Sequence, residues 1–197
     1  MKLITKLIKV ELMFAFIALT MLSTNSHAQS CKYSPEKDKT TVSWIGYKLK
    51  EKAPVKGKFV KYDIKTKAGK TINDTLESAS FELSGAKVYS GNAARDLKIA
   101  KFFFGNFMGG AKITGNVVKV DDDKVTVSMT MNEVTREVVM AKKLDGKKLT
   151  LSGSIDMMDF ALKKSYKAIS KACSVKHKGK TWTEASFELV TTFKRKC

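Results

Sequence analysis

Lys124-Val125-Thr126-Val127-Ser128-Met129-Thr130-Met131 reads as a strand with one dry face and one wet face. Val125, Val127, Met129 and Met131 alternate with Thr126, Ser128 and Thr130, and a backbone of period two puts each set on its own side. The Val and Thr residues also favour extended backbone. Asp121-Asp122-Asp123 precedes it and supplies a polar hairpin turn back to a second strand, Lys112–Val120. Downstream, Arg136–Leu144 and Lys148–Met157 flank Asp145-Gly146, a strong hairpin dipeptide. Four more runs alternate. Thr41–Lys50 sets Val42 and Trp44 against Ile45, Tyr47 and Leu49. Val55–Ile64 follows Pro54, and its Gly57 is read as a bend. Ala79–Val88 alternates through Phe81 and Leu83, and Glu184–Phe193 comes last. Eight strands with short polar turns give an all-β barrel or sandwich.

Two segments break the two-residue period. Asn92–Phe104 has a capping Asn92 and apolar Leu97, Ile99 and Phe102–Phe104, and Ala161–Cys173 has Leu162, Tyr166 and Ile169 near one face; both are expected to be helical. Gly69–Glu77 is ambiguous. The pentamer Ala79-Ser80-Phe81-Glu82-Leu83 recurs at Ala185–Leu189, which is read as two similar half-buried strands.

The 197 residues are 43% hydrophobic with 12 Gly and 2 Pro, a globular composition. Basic residues outnumber acidic ones by 37 to 19, a formal charge of +18. Only Arg95, Arg136 and Arg195 are arginines, so the excess is carried by lysine. Lysine makes a diffuse field, whereas bidentate reading of phosphates and bases favours arginine. Nucleic acid is therefore not expected as a partner.

Residues 1–28 resemble an export signal. Lys2, Lys6 and Lys9 precede the apolar run Leu12–Leu22, and Ser26 and Ala28 give the small residues for cleavage after Ala28. Glu11 is unusual there. The run is too short for a comfortable bilayer span. Residues 29–197 are expected to form one exported, periplasmic or secreted domain. Cys31 is not read as a lipid-anchor site, because Ala28-Gln29-Ser30 lacks the usual Leu. In an oxidising compartment Cys31, Cys173 and Cys197 can give one disulfide and one free thiol. All three pairings stay open, with Cys31–Cys197 favoured if the first and last strands are antiparallel neighbours.

The chain offers little catalytic chemistry. His177 is the only histidine after residue 28 and sits in Lys176-His177-Lys178, a solvated loop whose ammonium groups would depress its pKa. No GxSxG, Walker A or GxGxxG pattern occurs, and the Asp triplet lacks the loop and closing Glu of an EF-hand. No enzyme activity, metal or cofactor is expected. The aromatic run Phe102, Phe103, Phe104 and Phe107 either plugs a barrel or lines an apolar cavity within it.

Several motifs, in order, resemble the YceI-like family of exported bacterial proteins. They are Thr40-Thr41-Val42-Ser43-Trp44, Val55-Lys56-Gly57-Lys58-Phe59, Gly91–Leu97 followed by Phe102-Phe103, Asn132-Glu133-Val134-Thr135-Arg136, and Gly153-Ser154-Ile155-Asp156 with Asp159-Phe160. The resemblance runs over roughly residues 33–193. It implies an eight-stranded antiparallel lipocalin-like barrel with one or two short helices, and a binding protein for an isoprenoid, quinone or fatty-acyl chain. Glu133 and Ala161 stand where the family pattern has Gly, and 161–182 looks like a subgroup insertion.

On that basis the expected cavity lining is Trp44, Phe59, Phe81, Phe102, Phe103, Phe104, Phe107, Met129 and Phe160, with Arg95 and Asp96 as head-group candidates. Arg95 and Asp96 can equally form a structural ion pair that holds the helix on the barrel. The expected partners are an amphipathic lipid and an anionic membrane surface, and the chain is expected to be a monomer or homodimer. The rival expectation is a barrel with no internal ligand, acting through its basic surface on anionic polymers or a membrane.

Overall fold

The computed structural model describes residues 31–197, so the signal segment expected over 1–28 lies outside the described residues. The strands in chain order are β1 (Lys32–Pro35), β2 (Thr41–Lys48), β3 (Ala53–Phe59), β4 (Tyr62–Lys65), β5 (Ser80–Ser84), β6 (Val88–Tyr89), β7 (Lys112–Val120), β8 (Lys124–Met131), β9 (Val134–Asp145), β10 (Lys148–Asp156) and β11 (Thr181–Lys196). Helix α1 (Ile72–Glu77) joins β4 to β5. Helix α2 (Ala93–Lys98), a π-helical turn (Ile99–Phe103) and a 3-10 turn (Phe104–Asn106) lie between β6 and β7. A 3-10 turn (Met157–Phe160), α3 (Lys163–Ala172) and α4 (Ser174–His177) lie between β10 and β11.

All pairings are antiparallel, and the sheet runs β4-β5-β7-β8-β9-β10-β11-β2-β3-β6. The eleven strands reduce to eight staves and one addition. β3 and β4 are one path bent at Val60-Lys61, and β5 and β6 are a second path bent beside it. β3 pairs with β6 and β4 with β5, while the Val60 and Ser84 N–H groups donate to Lys87 and Lys61 carbonyls at the bend. The curled sheet thereby meets itself. β1, which the sequence reading missed, adds to the end of β11.

Two expectations are corrected. The bend falls at Val60-Lys61, and Gly57 lies within β3 directly opposite Trp44. Its lack of a side chain makes room for the indole. Of the two expected helices, Asn92–Phe104 is broken into α2, a π turn and a 3-10 turn, whereas Ala161–Cys173 is α3 but for its ends. Gly69–Glu77, left unassigned, contains α1. Its capping box satisfies two end donors: Asp74 N–H donates to Thr71 Oγ1, and Thr71 N–H donates to Asp74 Oδ2.

The interior is solid at one end only. Val42, Val125, Val127, Met129, Met140, Leu149, Leu151 and Phe193 fill it there, with Ile72 and Leu76 of α1 packed into the same core. Each such side chain contributes about 1.5–3 kcal/mol of burial. The other end carries α2, α3, α4 and the 3-10 and π turns. Buried Asn132 ties these turns together. Its Oδ1 accepts from Met108 N–H at 2.7 Å, and its amide donates to the Phe160 and Ala161 carbonyls at 3.2 Å. The termini are tied as well: β1 and β11 bring Lys32 opposite Lys196, and Cys31 is bonded to Cys197.

Candidate functional site

The helical end of the barrel encloses a cavity of about 480 Å³. The strand period explains its wall. On β8 only Met131, the last inward residue, reaches it; on β10 only Ile155 does; on β11 Ala185 and Phe187 do. Register puts these at one height, with Ile113 opposite Met131, Ile155 opposite Ala185 and Trp44 opposite Phe187. Phe59 at the end of β3, and Phe103, Phe104, Met157, Leu162 and Ile169 from the plugging turns and α3, complete the apolar wall. Phe103 and Phe104 pack edge to face with ring centroids 5.0 Å apart, and Phe59 stands edge-on to Phe104 with centroids 6.1 Å apart.

Burial separates the floor from the mouth. Ile113, Met131, Phe59 and Leu162 line the cavity and are at most 2% exposed, so they are floor. Asn92, Ala94, Lys98 and Lys176 line it and are exposed, so they mark the opening. Lys48, Arg95 and His177 stand with them. No Asp or Glu is among the lining residues. The field at the mouth is therefore cationic against an apolar interior. His177 shows it: burial first, then Lys48 and Lys98, hold its pKa below the usual 6.5. Its Nδ1 is 2.8 Å from Thr181 Oγ1.

Among the expected lining residues, Trp44, Phe59, Phe103 and Phe104 are brought together in the wall. Phe81, Phe102, Phe107, Met129 and Phe160 are not part of it. Met129 and Phe81 lie one layer lower in the solid end, on either side of Gly115. Phe107 packs behind Phe103 and Phe104, Phe102 faces away with Lys101 over its ring, and Phe160 is buried under its 3-10 turn. Arg95 lines the cavity but Asp96 does not. The two are bridged by Ser90: Arg95 Nε donates to Ser90 Oγ at 2.7 Å, Arg95 Nη2 to its carbonyl at 2.6 Å, and Ser90 N–H and Oγ–H donate to Asp96 Oδ1. Asp96 thus positions the arginine rather than facing the interior.

The segment 161–182 is the main omission of the sequence reading. His177 is a half-buried residue of α4 and not a loop histidine, and Ile169, Cys173, Lys176, Thr181 and Trp182 join it in the wall. Cys173 is there as a free thiol. The readable signal was the apolar Ile169-x3-Cys173 spacing on one helical face. Among the described residues no group of three or more His, Cys, Asp or Glu is placed to hold a metal.

The sequence pattern of the YceI-like domain matches residues 33–181. The chain belongs to the YceI-like family. The YceI-like barrel is seen in solved structures at low identity. A polyisoprenoid binding domain from Saccharophagus degradans, implicated in plant cell wall breakdown, is 14% identical, with a TM-score of 0.56 over 83% of this chain and 98% of that one. BcnA of Burkholderia cenocepacia is 16% identical, with a TM-score of 0.56 over 82% and 99%. A YceI protein of Campylobacter jejuni is 18% identical, with a TM-score of 0.52 over 74% and 86%. At these identities the likeness is one of fold. A comparison with curated proteins finds no match.

Proposed function

We propose that this YceI-like protein is an exported, non-enzymatic carrier that holds the isoprenoid, quinone or fatty-acyl chain of an amphipathic lipid in its half-hollow barrel. The observation that carries this reading is the cavity itself, apolar in its floor and bounded at its opening by Lys48, Arg95, Lys98, Lys176 and His177 with no lining acid. Its size is in the range of small-molecule sites. Each methylene taken from water into the floor contributes about 0.8 kcal/mol, while the mouth favours a phosphate, carboxylate or carbonyl head. The Nε1–H of Trp44 is buried in the wall without a hydrogen-bond partner, leaving a donor for an oxygen at that depth. The polyisoprenoid-binding relative and the family membership support the same ligand class. A disulfide suits an oxidising compartment, and no helix among the described residues is long and apolar enough to cross a membrane.

Gly46 makes the reading testable without damaging the fold. It lines the cavity, and a Cβ there meets nothing within 4 Å. Native mass spectrometry of the protein from a bacterial host, before and after solvent extraction, should show a stoichiometric prenyl or acyl lipid. Gly46→Phe should fold normally and lose it. A bare chain that also takes up no quinone or fatty acid on incubation would reject the proposal.

A further inference from the structure

The two most exposed large apolar side chains among the described residues are Val175, 89% exposed, and Leu97, 72% exposed. A lone surface Leu or Val is ordinary. These two are placed alike: Leu97 precedes Lys98, and Val175 precedes Lys176, so each adjoins an exposed residue of the mouth. Lys98 Nζ donates to the Ala172 carbonyl at 3.1 Å, which joins α2 to the end of α3 and makes both side chains parts of one rim. The rim is cationic. Residues 160–183 contain seven lysines and no Asp or Glu, and the exposed Lys171 and Lys178 flank Val175. Asp96, beside Leu97 in the chain, is engaged by Ser90.

We propose that this rim is a docking surface for an anionic bilayer, with Leu97 and Val175 entering the interface and the lysines meeting lipid head groups. Apolar tips among cations are what an interfacial element needs: the charges attract over a Debye length, and the tips hold once contact is made. Docking there turns the cavity mouth toward the membrane, so that a chain passes from bilayer to barrel without crossing water. An anionic polymer would be held by the lysines alone and would leave Leu97 and Val175 idle. The inference does not depend on which ligand the cavity holds, because bilayer lipid is itself the probe.

The test uses the chain from Gln29 onward, since the closed barrel and its disulfide lie wholly within residues 31–197. It should co-sediment with phosphatidylglycerol–phosphatidylcholine vesicles and not with phosphatidylcholine alone, and binding should weaken several-fold in 0.5 M salt. The double variant Leu97→Gln, Val175→Thr keeps every charge and alters only exposed positions. It should bind the anionic vesicles at least fivefold more weakly, with retention on heparin and the unfolding temperature unchanged. Vesicle binding equal to the parent would overturn the proposal in favour of a polymer-type lysine contact, and so would the absence of vesicle binding at low salt.

Discussion

The Trp44 indole occupies the space that a Gly57 side chain would need: a Cβ at Gly57 would lie 2.2 Å from the ring. The two residues face each other across β2 and β3, so the strand pairing itself fixes the contact. Gly57→Ala must push the tryptophan out of the cavity wall. Overpacking of this kind costs about 1–3 kcal/mol, and urea denaturation should show it, with altered tryptophan fluorescence. Gly46, two positions along β2 from Trp44, has open space beside it, so Gly46→Ala should leave stability nearly unchanged.

Glu133 and Ala161 sit in left-handed backbone, with φ of 64° and 52°. They are also the two positions where the sequence departs from a customary glycine. An L side chain there costs about 1 kcal/mol that glycine avoids, partly offset by glycine's freer unfolded chain. Glu133→Gly and Ala161→Gly should each raise the unfolding temperature by about 1–3 °C in calorimetry. Gly146→Ala, at φ 57°, should lower it.

His177 makes stability depend on pH in a definite direction. The folded protein resists protonating it, because burial and then Lys48 and Lys98 disfavour the charge. The unfolded chain does not, so between the folded pKa and 6.5 the unfolded state binds more protons. This contribution is present in full above pH 6.5 and is lost as pH falls through that window. Denaturation midpoints should drop from pH 7.5 to 5.5, and His177→Gln should lose that part of the slope. An anionic amphiphile bound at the mouth should raise the His177 pKa in an NMR titration.

The Cys31–Cys197 bond closes a loop with a sequence separation of 166 residues. Restricting so long a loop in the unfolded chain is worth about 2–5 kcal/mol. Cys31→Ser with Cys197→Ser should remove that amount, read as a shift in guanidinium midpoint, while Cys173→Ser should not.

The hairpins were legible because their pairing is local. Lys112–Val120 and Lys124–Met131 are strands with the boundaries the alternation gave, as the Asp triplet turns one straight into the other. The bend at Val60-Lys61 was not, since Val55–Ile64 alternates through it and only pairing with both β6 and β5 imposes it. The site shows the same division. Alternation says that Met129 and Met131 face inward together, but not that the solid core ends between them. That height is set by Ile113, Ile155 and Phe187 from distant strands. His177 was misread because its burial comes from α4 folding back onto the cavity rather than from Lys176 and Lys178.

Joined at Cys31 and Cys197, residues 31–197 are a covalent circle. A protease that cuts once, for example in the exposed Gly146-Lys147 turn between β9 and β10, opens the circle but releases nothing. Both fragments stay on one molecule and in one barrel. A nicked sample should migrate as one species without reductant and as two with it. In a setting rich in proteases, shedding a piece takes two cuts, or one cut and a thiol.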